Sequence, residues 1–249
     1  MVWFLKTQKQ TFLQPHGKLE VFVRHCFFST ISQHKKRFPD FSREKCHQNL
    51  INTIDKAKAN LTFFLDTAKG QDHFIKREEN VIEIQAGSEA TSFLKLLDHI
   101  ESLSLHPDTV LYFVEDDYLH KAGWVDVLFE GIAIADYATL YDHKDKYSQN
   151  LKSQIFHTKT CHWRITPSTT QTFAVRWKTL REDLPIHRKF SQGRQISQDH
   201  QKFLQLSKRG RVLISSLPGY STHAEPEFAS PCCNWNQIQE FSCKHSPSN

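Results

Sequence analysis

Nowhere in the 249 residues is there an apolar run approaching the roughly 18 to 20 residues that a bilayer crossing requires. Residues 1–10, MVWFLKTQKQ, turn polar too early for the apolar stretch of a signal peptide. The expected compartment is therefore the cytoplasm, with peripheral contact to a membrane left open. The six cysteines, Cys26, Cys46, Cys161, Cys232, Cys233 and Cys243, lack the spacing of a disulfide framework and are expected as free thiols. Neither Cys161-His162 nor Cys232-Cys233 with Cys243 and His245 has the two-residue spacer of a zinc knuckle. Residues 18–40 contain no glycine, which removes a Gly-rich phosphate loop from the N-terminal region. No internal repeat is apparent.

What is present is a chain with a core: 39% of residues are hydrophobic, 24% are charged and 19 are Phe, which excludes a disordered polymer. The length is compatible with one large domain, and a single domain is expected. The net charge of +5 is spread among mixed signs, so it favours phosphorylated or acidic partners without calling for nucleic acid. His34-Lys35-Lys36-Arg37 and Lys208-Arg209-Gly210-Arg211 are the local basic clusters, and such runs are usually solvated faces.

Alternation and β-forming residues predict strands at 19–24, 61–65, 81–84, 110–114, 137–141 and 211–215, with a further β-like stretch at 169–177. Helical spacing and start signals predict helices over 42–58, from Gly87 to Ile100, over 123–134 and over 197–208. Residues 144–159 and the Pro- and Ser-containing tail from Pro218 read as loop, the latter a candidate to close over a site. Strands alternating with helices imply an α/β fold: a mostly parallel, Rossmann-like sheet flanked by helices, with ligands beyond the carboxyl ends of its strands.

At one such end stand Glu115-Asp116-Asp117, directly after Val110-Leu-Tyr-Phe-Val114. Three acids at the mouth of a buried strand repel one another and resist desolvation, so a positive charge is expected there, most simply a divalent ion. Hard carboxylate oxygens suit Mg2+ or Mn2+ bridged to substrate phosphates. The bland alternative is a solvated acidic turn.

Phe113-Val-Glu-Asp-Asp-Tyr118 resembles the Asp-x-Asp type motif of GT-A fold glycosyltransferases, in a Glu-Asp-Asp variant, and residues 18–235 are similar to family 2-like glycosyltransferases. The resemblance implies a nucleotide-sugar half over about 18–143, an acceptor half over about 144–235 and a C-terminal tail, 236–249. It implies that Asp117 ligates Mn2+ or Mg2+ directly, with Glu115 and Asp116 supporting the nucleotide and the ion's waters. His223, in the loop Gly219-Tyr-Ser-Thr-His-Ala-Glu225, matches the histidine that many such enzymes add to the metal. The loop from Arg24 would lie beside the base, Asp66 would touch base or ribose, and Gly87 would open the helix beside the nucleotide sugar. Asp199 matches the general base of inverting members, accepting the proton of the acceptor hydroxyl.

Each residue also has a structural reading: capping for Asp66, Gly87 and Asp199, and surface hydrogen bonding for His223. Trp163 and Trp235 fall in loop-like stretches where a sugar could stack, although core is the commoner fate of such rings. The implied partners are a nucleoside-diphosphate sugar and a glycan or other hydroxyl acceptor. The alternatives are a nucleotide-sugar-forming nucleotidyltransferase, against which the missing glycines argue, and a non-catalytic binding protein of the same fold.

Overall fold

The run Val110–Val114 has no polar face because both of its faces are covered. Val110, Tyr112 and Val114 enter one hydrophobic layer, and Leu111 and Phe113 enter another on the opposite side of the sheet. The computed structural model describes residues 16–244 except 28, 30, 31, 68–70 and 149–151. The expectations for residues 1–10, His245 and the end of the tail lie outside the described residues.

In chain order the elements are β1 (Leu19–Cys26), α1 (Arg43–Thr53), β2 (Ala59–Asp66), β3 (Val81–Ile84), α2 (Glu89–Ser102), β4 (Val110–Glu115), β5 (Tyr118–His120), α3 (Trp124–Ile134) and β6 (Tyr137–Thr139). Then follow β7 (Ile155–His157), β8 (His162–Ile165), β9 (Phe173–Arg176), α4 (Trp177–Lys189), α5 (Asp199–Lys208), β10 (Leu213–Leu217), β11 (Ser221–His223) and α6 (Trp235–Lys244). The main sheet runs β3-β2-β1-β4-β9-β6-β10-β8-β7. It is parallel from β3 to β4, whereas β9 lies antiparallel between β4 and β6, and the hairpin β7-β8 adds an antiparallel edge beyond β10. The α/β architecture is as the sequence predicts, with a more mixed second half. β5 and β11 pair separately as a two-stranded ribbon.

Helices cover both faces. Phe93, Leu96, Leu97 and Ile100 of α2 join Leu180 and Leu184 of α4 and Phe203 and Leu206 of α5 on one side. Leu50 of α1 and Val125, Val127, Leu128 and Ile132 of α3 occupy the other. Ser42 caps α1 by accepting from Lys45 N at 3.0 Å, and Ser88 caps α2 by accepting from Thr91 N at 3.1 Å.

Four expectations are corrected. The first helix stops at Thr53, because Asp55 accepts the amides of Ala57 and Lys58 and turns the chain into β2. The β-like stretch 169–177 is strand only from Phe173, and its end, Trp177, starts the unforeseen α4. The tail is not a loop: α6 packs on α1, and Gln239 Nε2 donates to Pro39 O at 3.0 Å. Trp163 and Trp235 are both buried, so neither offers a stacking platform. Trp163 lies against Gly131 of α3, and Trp235 belongs to a small apolar cluster with Phe38, Cys46, Leu119 and Ala224.

Candidate active site

The carboxyl ends of β1, β2 and β4 open onto a cleft of about 1120 Å3. Strand register decides which side chains meet there. Arg24 of β1 pairs with Glu115 of β4, and Cys26 with Asp66 of β2, so the sequence-predicted residues arrive at nearly one level. Arg24, Asp66, Gly87, Glu115, Asp116, Asp117 and His223 all line the cleft; Asp199 does not.

Each member of the acidic cluster faces an arginine. Asp117 Oδ2 lies 2.9 Å from Arg37 Nη2, Asp116 Oδ2 lies 2.8 Å from Arg43 Nε, and Glu115 Oε1 lies 3.6 Å from Arg24 Nη2. Cys26 N also donates to Asp116 Oδ2, at 3.1 Å. Ser32 Oγ accepts from both Arg37 and Arg43 and so fixes the two guanidinium groups relative to each other. The positive charge that the sequence calls for is thus supplied partly by the chain itself. Of these arginines the sequence reading singled out Arg24 alone; the only signal for Arg37 was the basic run 34–37.

The ribbon β5-β11 pairs Tyr118 with His223 and so carries His223 to Asp117, with Nε2 2.9 Å from Oδ2. The other ring nitrogen, Nδ1, lies 2.9 Å from Glu225 Oε1, which also binds Lys35 Nζ at 2.6 Å. Glu225, Lys35, Arg37 and Arg43 were not predicted as site residues.

Burial sets the protonation of the cluster unevenly. It pushes the Glu115 carboxyl up to about 8; Arg24 opposes this, and the charges of Asp117 and Glu89 add to it. Burial likewise raises Asp116 against the opposing charge of Arg43. For Asp117 burial is outweighed by His223 and Arg37, which hold its carboxyl well below the usual range. His223, whose charged form burial disfavours, is nevertheless raised to about 9 by Asp117 and Glu225. Asp117 is therefore the member of the triplet most firmly ionised.

Arg24 is 7% exposed and anchored by Glu89, whose Oε1 lies 2.9 Å from Nη1, while Ser197 N donates to Glu89 Oε2 at 2.7 Å. Its Nε and Nη2 are buried without a hydrogen-bond acceptor, so donor capacity remains at the cleft wall. Asp66 takes the amides of Ala86 at 2.7 Å and Gly87 at 3.0 Å. Its carboxylate thus shapes the turn before α2, the role its capping reading anticipates. Gly87, at φ 69, has the left-handed backbone that favours glycine, and its amide is spent on Asp66 rather than offered to a ligand.

Asp199 lies in the first turn of α5, caps no backbone amide and pairs with Lys202 Nζ at 3.0 Å. Lys202 is fully buried and also donates to Gln171 Oε1 at 2.9 Å. Burial raises the Asp199 carboxyl, with Lys202 opposing. Asp199 opens on a second cavity of about 410 Å3, with Ser168, Thr169, Thr170 and His200 on its wall.

Among the described residues the donor chemistry of Asp117 and His223 fits a divalent ion. With Nδ1–H given to Glu225, His223 Nε2 presents its lone pair to Asp117 Oδ2, and two facing lone pairs require a cation between them. A proton serves in the metal-free protein. A carboxylate behind a histidine is also the usual support of a metal-bound imidazole. Among the described residues no group of three or more His, Cys, Asp or Glu is arranged to hold a metal alone. An ion between Asp117 and His223 would therefore have two protein ligands and complete its shell with water, or with a bound phosphate when substrate is present.

No protein-family model matches the chain, and no curated protein matches it in sequence. Solved structures do match in fold. GalNAc-T7 with UDP, GalNAc and Mn2+ superposes at a TM-score of 0.51 and 10% identity, covering 85% of this chain and 45% of that one. CMP:2-keto-3-deoxy-manno-octonic acid synthetase complexed with CTP matches at 0.49 and 10% identity, over 92% of this chain and 100% of the other. The inositol-1-phosphate CTP transferase from T. maritima also gives 0.49 and 10% identity, over 94% and 100%. This chain spans less than half the length of GalNAc-T7. Its α/β fold is similar to that of GalNAc-T7.

Proposed function

We propose that the protein is a glycosyltransferase that moves a sugar from a nucleoside-diphosphate sugar to a hydroxyl acceptor, with inversion. The observation that carries this reading is the alignment Asp117–His223–Glu225 at a cleft that also presents the unspent donors of Arg24. Such a site offers both a cation position and anion-binding groups, the two things a diphosphate leaving group needs. A volume of about 1120 Å3 accommodates a nucleotide sugar.

Arg24 Nε and Nη2 would donate to phosphate oxygens and gain strength from burial, since Arg24 is held in place by Glu89. Asp117 and His223 would hold Mn2+ or Mg2+, which when bound supplies charge neutralisation of the departing diphosphate. Asp199 would take the proton of the acceptor hydroxyl from the side of the second cavity. Burial raises its pKa, the direction a base needs, and Lys202 fixes its carboxylate. The wall of that cavity joins the hydroxyls of Ser168, Thr169 and Thr170 to the charged or polar side chains of Asp145, Lys146, His143 and His200, a lining that suits a polar, hydroxylated acceptor such as a glycan.

The test is donor turnover with a panel of nucleoside-diphosphate sugars, with and without Mn2+, in wild type, Asp117→Ala and Asp199→Asn. Asp117→Ala should lose Mn2+-dependent release of nucleoside diphosphate. Asp199→Asn should keep donor binding and lose transfer. Equal turnover in every condition removes the metal role, and unchanged transfer in Asp199→Asn removes the base. Pyrophosphate release from nucleoside triphosphate and sugar phosphate would instead indicate the nucleotidyltransferase reading, which the basic side chains of Lys35 and Arg43 on the cleft wall also suit.

A further inference from the structure

The residues around His223 form one chain of alternating charge. Arg37 Nη2 binds Asp117 Oδ2 at 2.9 Å, and Asp117 Oδ2 meets His223 Nε2 at 2.9 Å. His223 Nδ1 then meets Glu225 Oε1 at 2.9 Å, and Glu225 Oε1 ends on Lys35 Nζ at 2.6 Å. Both ends of the chain are basic, and both belong to one short segment, two residues apart. The segment closes on the acid–histidine–acid row like a clasp.

The oxygen that Arg37 takes is the one His223 faces. A cation entering between Asp117 and His223 must therefore displace the guanidinium or sit beside it, and like charges at that range repel strongly where water is scarce. Arg37 does not need Asp117 to stay in place. Its Nη2 also donates to Ser32 Oγ at 2.9 Å, and its guanidinium lies 4.6 Å from the ring centroid of Phe41. Its Nη1 is buried without a hydrogen-bond partner, so the group has a donor to give.

We propose that Arg37 is an exchangeable counter-ion: it neutralises Asp117 in the metal-free protein and passes to the diphosphate once a divalent ion takes Asp117. Lys35 does the same on the Glu225 side, and it already lines the cleft. As the ion takes its place between Asp117 and His223 it displaces the proton held there, which leaves to solvent, and the basic side chains turn to the incoming phosphate. The proposal rests on the reading of Asp117 and His223 as the metal position.

The experiment measures binding of Mn2+ alone by calorimetry, and binding of inorganic pyrophosphate at saturating Mn2+, in wild type, Arg37→Gln, Lys35→Gln and Asp117→Asn. Removing the competing cation should tighten Mn2+ binding about tenfold in Arg37→Gln, and should weaken pyrophosphate binding about tenfold, the scale of one close charge pair. Lys35→Gln should change both in the same directions. These opposite signs are the signature, since mere loosening of the site would weaken both. Mn2+ affinity unchanged or lower in both variants, with Asp117→Asn still abolishing it, overturns the exchange and leaves the metal position standing. Absence of Mn2+ binding in wild type and both variants overturns the metal position and the exchange together. Should Arg37→Gln fail to fold, Lys35→Gln decides alone.

Discussion

Glu225 holds His223 by Nδ1 at 2.9 Å and so turns Nε2 of the same ring toward Asp117. Without Glu225 the imidazole is free to choose the other tautomer, in which Nε2 carries the proton and is no ligand. Glu225→Ala should therefore lower Mn2+ affinity by about tenfold or more, the usual effect of removing such a support. The melting curve should move little by comparison, and calorimetry beside thermal unfolding checks the split. Equal Mn2+ affinity in the variant would show that Glu225 does not orient the ring.

Arg24 joins stability to binding. Arg24→Met leaves Glu89 without its main cation and should destabilise by about 3 kcal/mol, since breaking a buried pair strands the other charge. Arg24→Lys keeps a charge but not the planar fork, so it should recover much of that stability while nucleotide affinity stays reduced. Urea titration and nucleoside diphosphate binding, measured on the same three proteins, test this. Full recovery of binding in Arg24→Lys would mean that a point charge suffices.

Stability should peak near pH 7 in chelator. His120 is fully buried and pushed down to about 3 by desolvation, and His187, also fully buried, lies well below the usual value for the same cause. The unfolded chain protonates these rings near 6.5 while the folded chain does not, so stability falls as pH drops below that value. At pH 5.5 the loss from His120 is on the order of 1 kcal/mol, and His187 adds to it in the same direction. His223 has the opposite sign: its folded pKa is raised to about 9, so its contribution is complete below 6.5 and is lost as pH climbs through 9. Denaturant titrations from pH 5 to 9.5 check both limbs. His120→Gln should flatten the acid limb, and a pH-independent stability would contradict the assignment.

Gly131 of α3 has no room for a side chain. A Cβ there would stand 2.5 Å from Cη2 of the Trp163 indole, whose ring is fully buried. Gly131→Ala should destabilise by about 1 to 3 kcal/mol through overpacking, although alanine is the better helix former. A more stable Gly131→Ala variant would show that β8 can yield.

The parallel half of the sheet was legible because strands buried on both sides leave unbroken apolar runs, as in Val110–Val114, and because the acids end one of them. Asp117 and His223 are 106 residues apart in sequence, and only a family resemblance linked them; the ribbon β5-β11 that joins them is too short to read. α4 stayed hidden because Phe173–Arg176 reads continuously as strand into Trp177 and because Pro185 interrupts the helical pattern. α6 was masked by the prolines and serines around it. Arg37 and Arg43, which face Asp117 and Asp116, were invisible for a different reason: lysines and arginines are common on surfaces, and nothing local marks those that fold inward.

Phe38, Leu119 and Ala224 follow Arg37, Asp117 and His223 by one, two and one residues, and all three share one apolar cluster with Trp235 of α6. The spacing of the charged groups is therefore gauged by the apolar cluster in which Trp235 sits. Trp235→Phe would change the girth of that cluster and so shift the tolerances of the proposed ion position without altering any charge. If Asp117 and His223 hold the ion proposed above, selectivity between a smaller and a larger divalent ion would be tuned from the C-terminal helix.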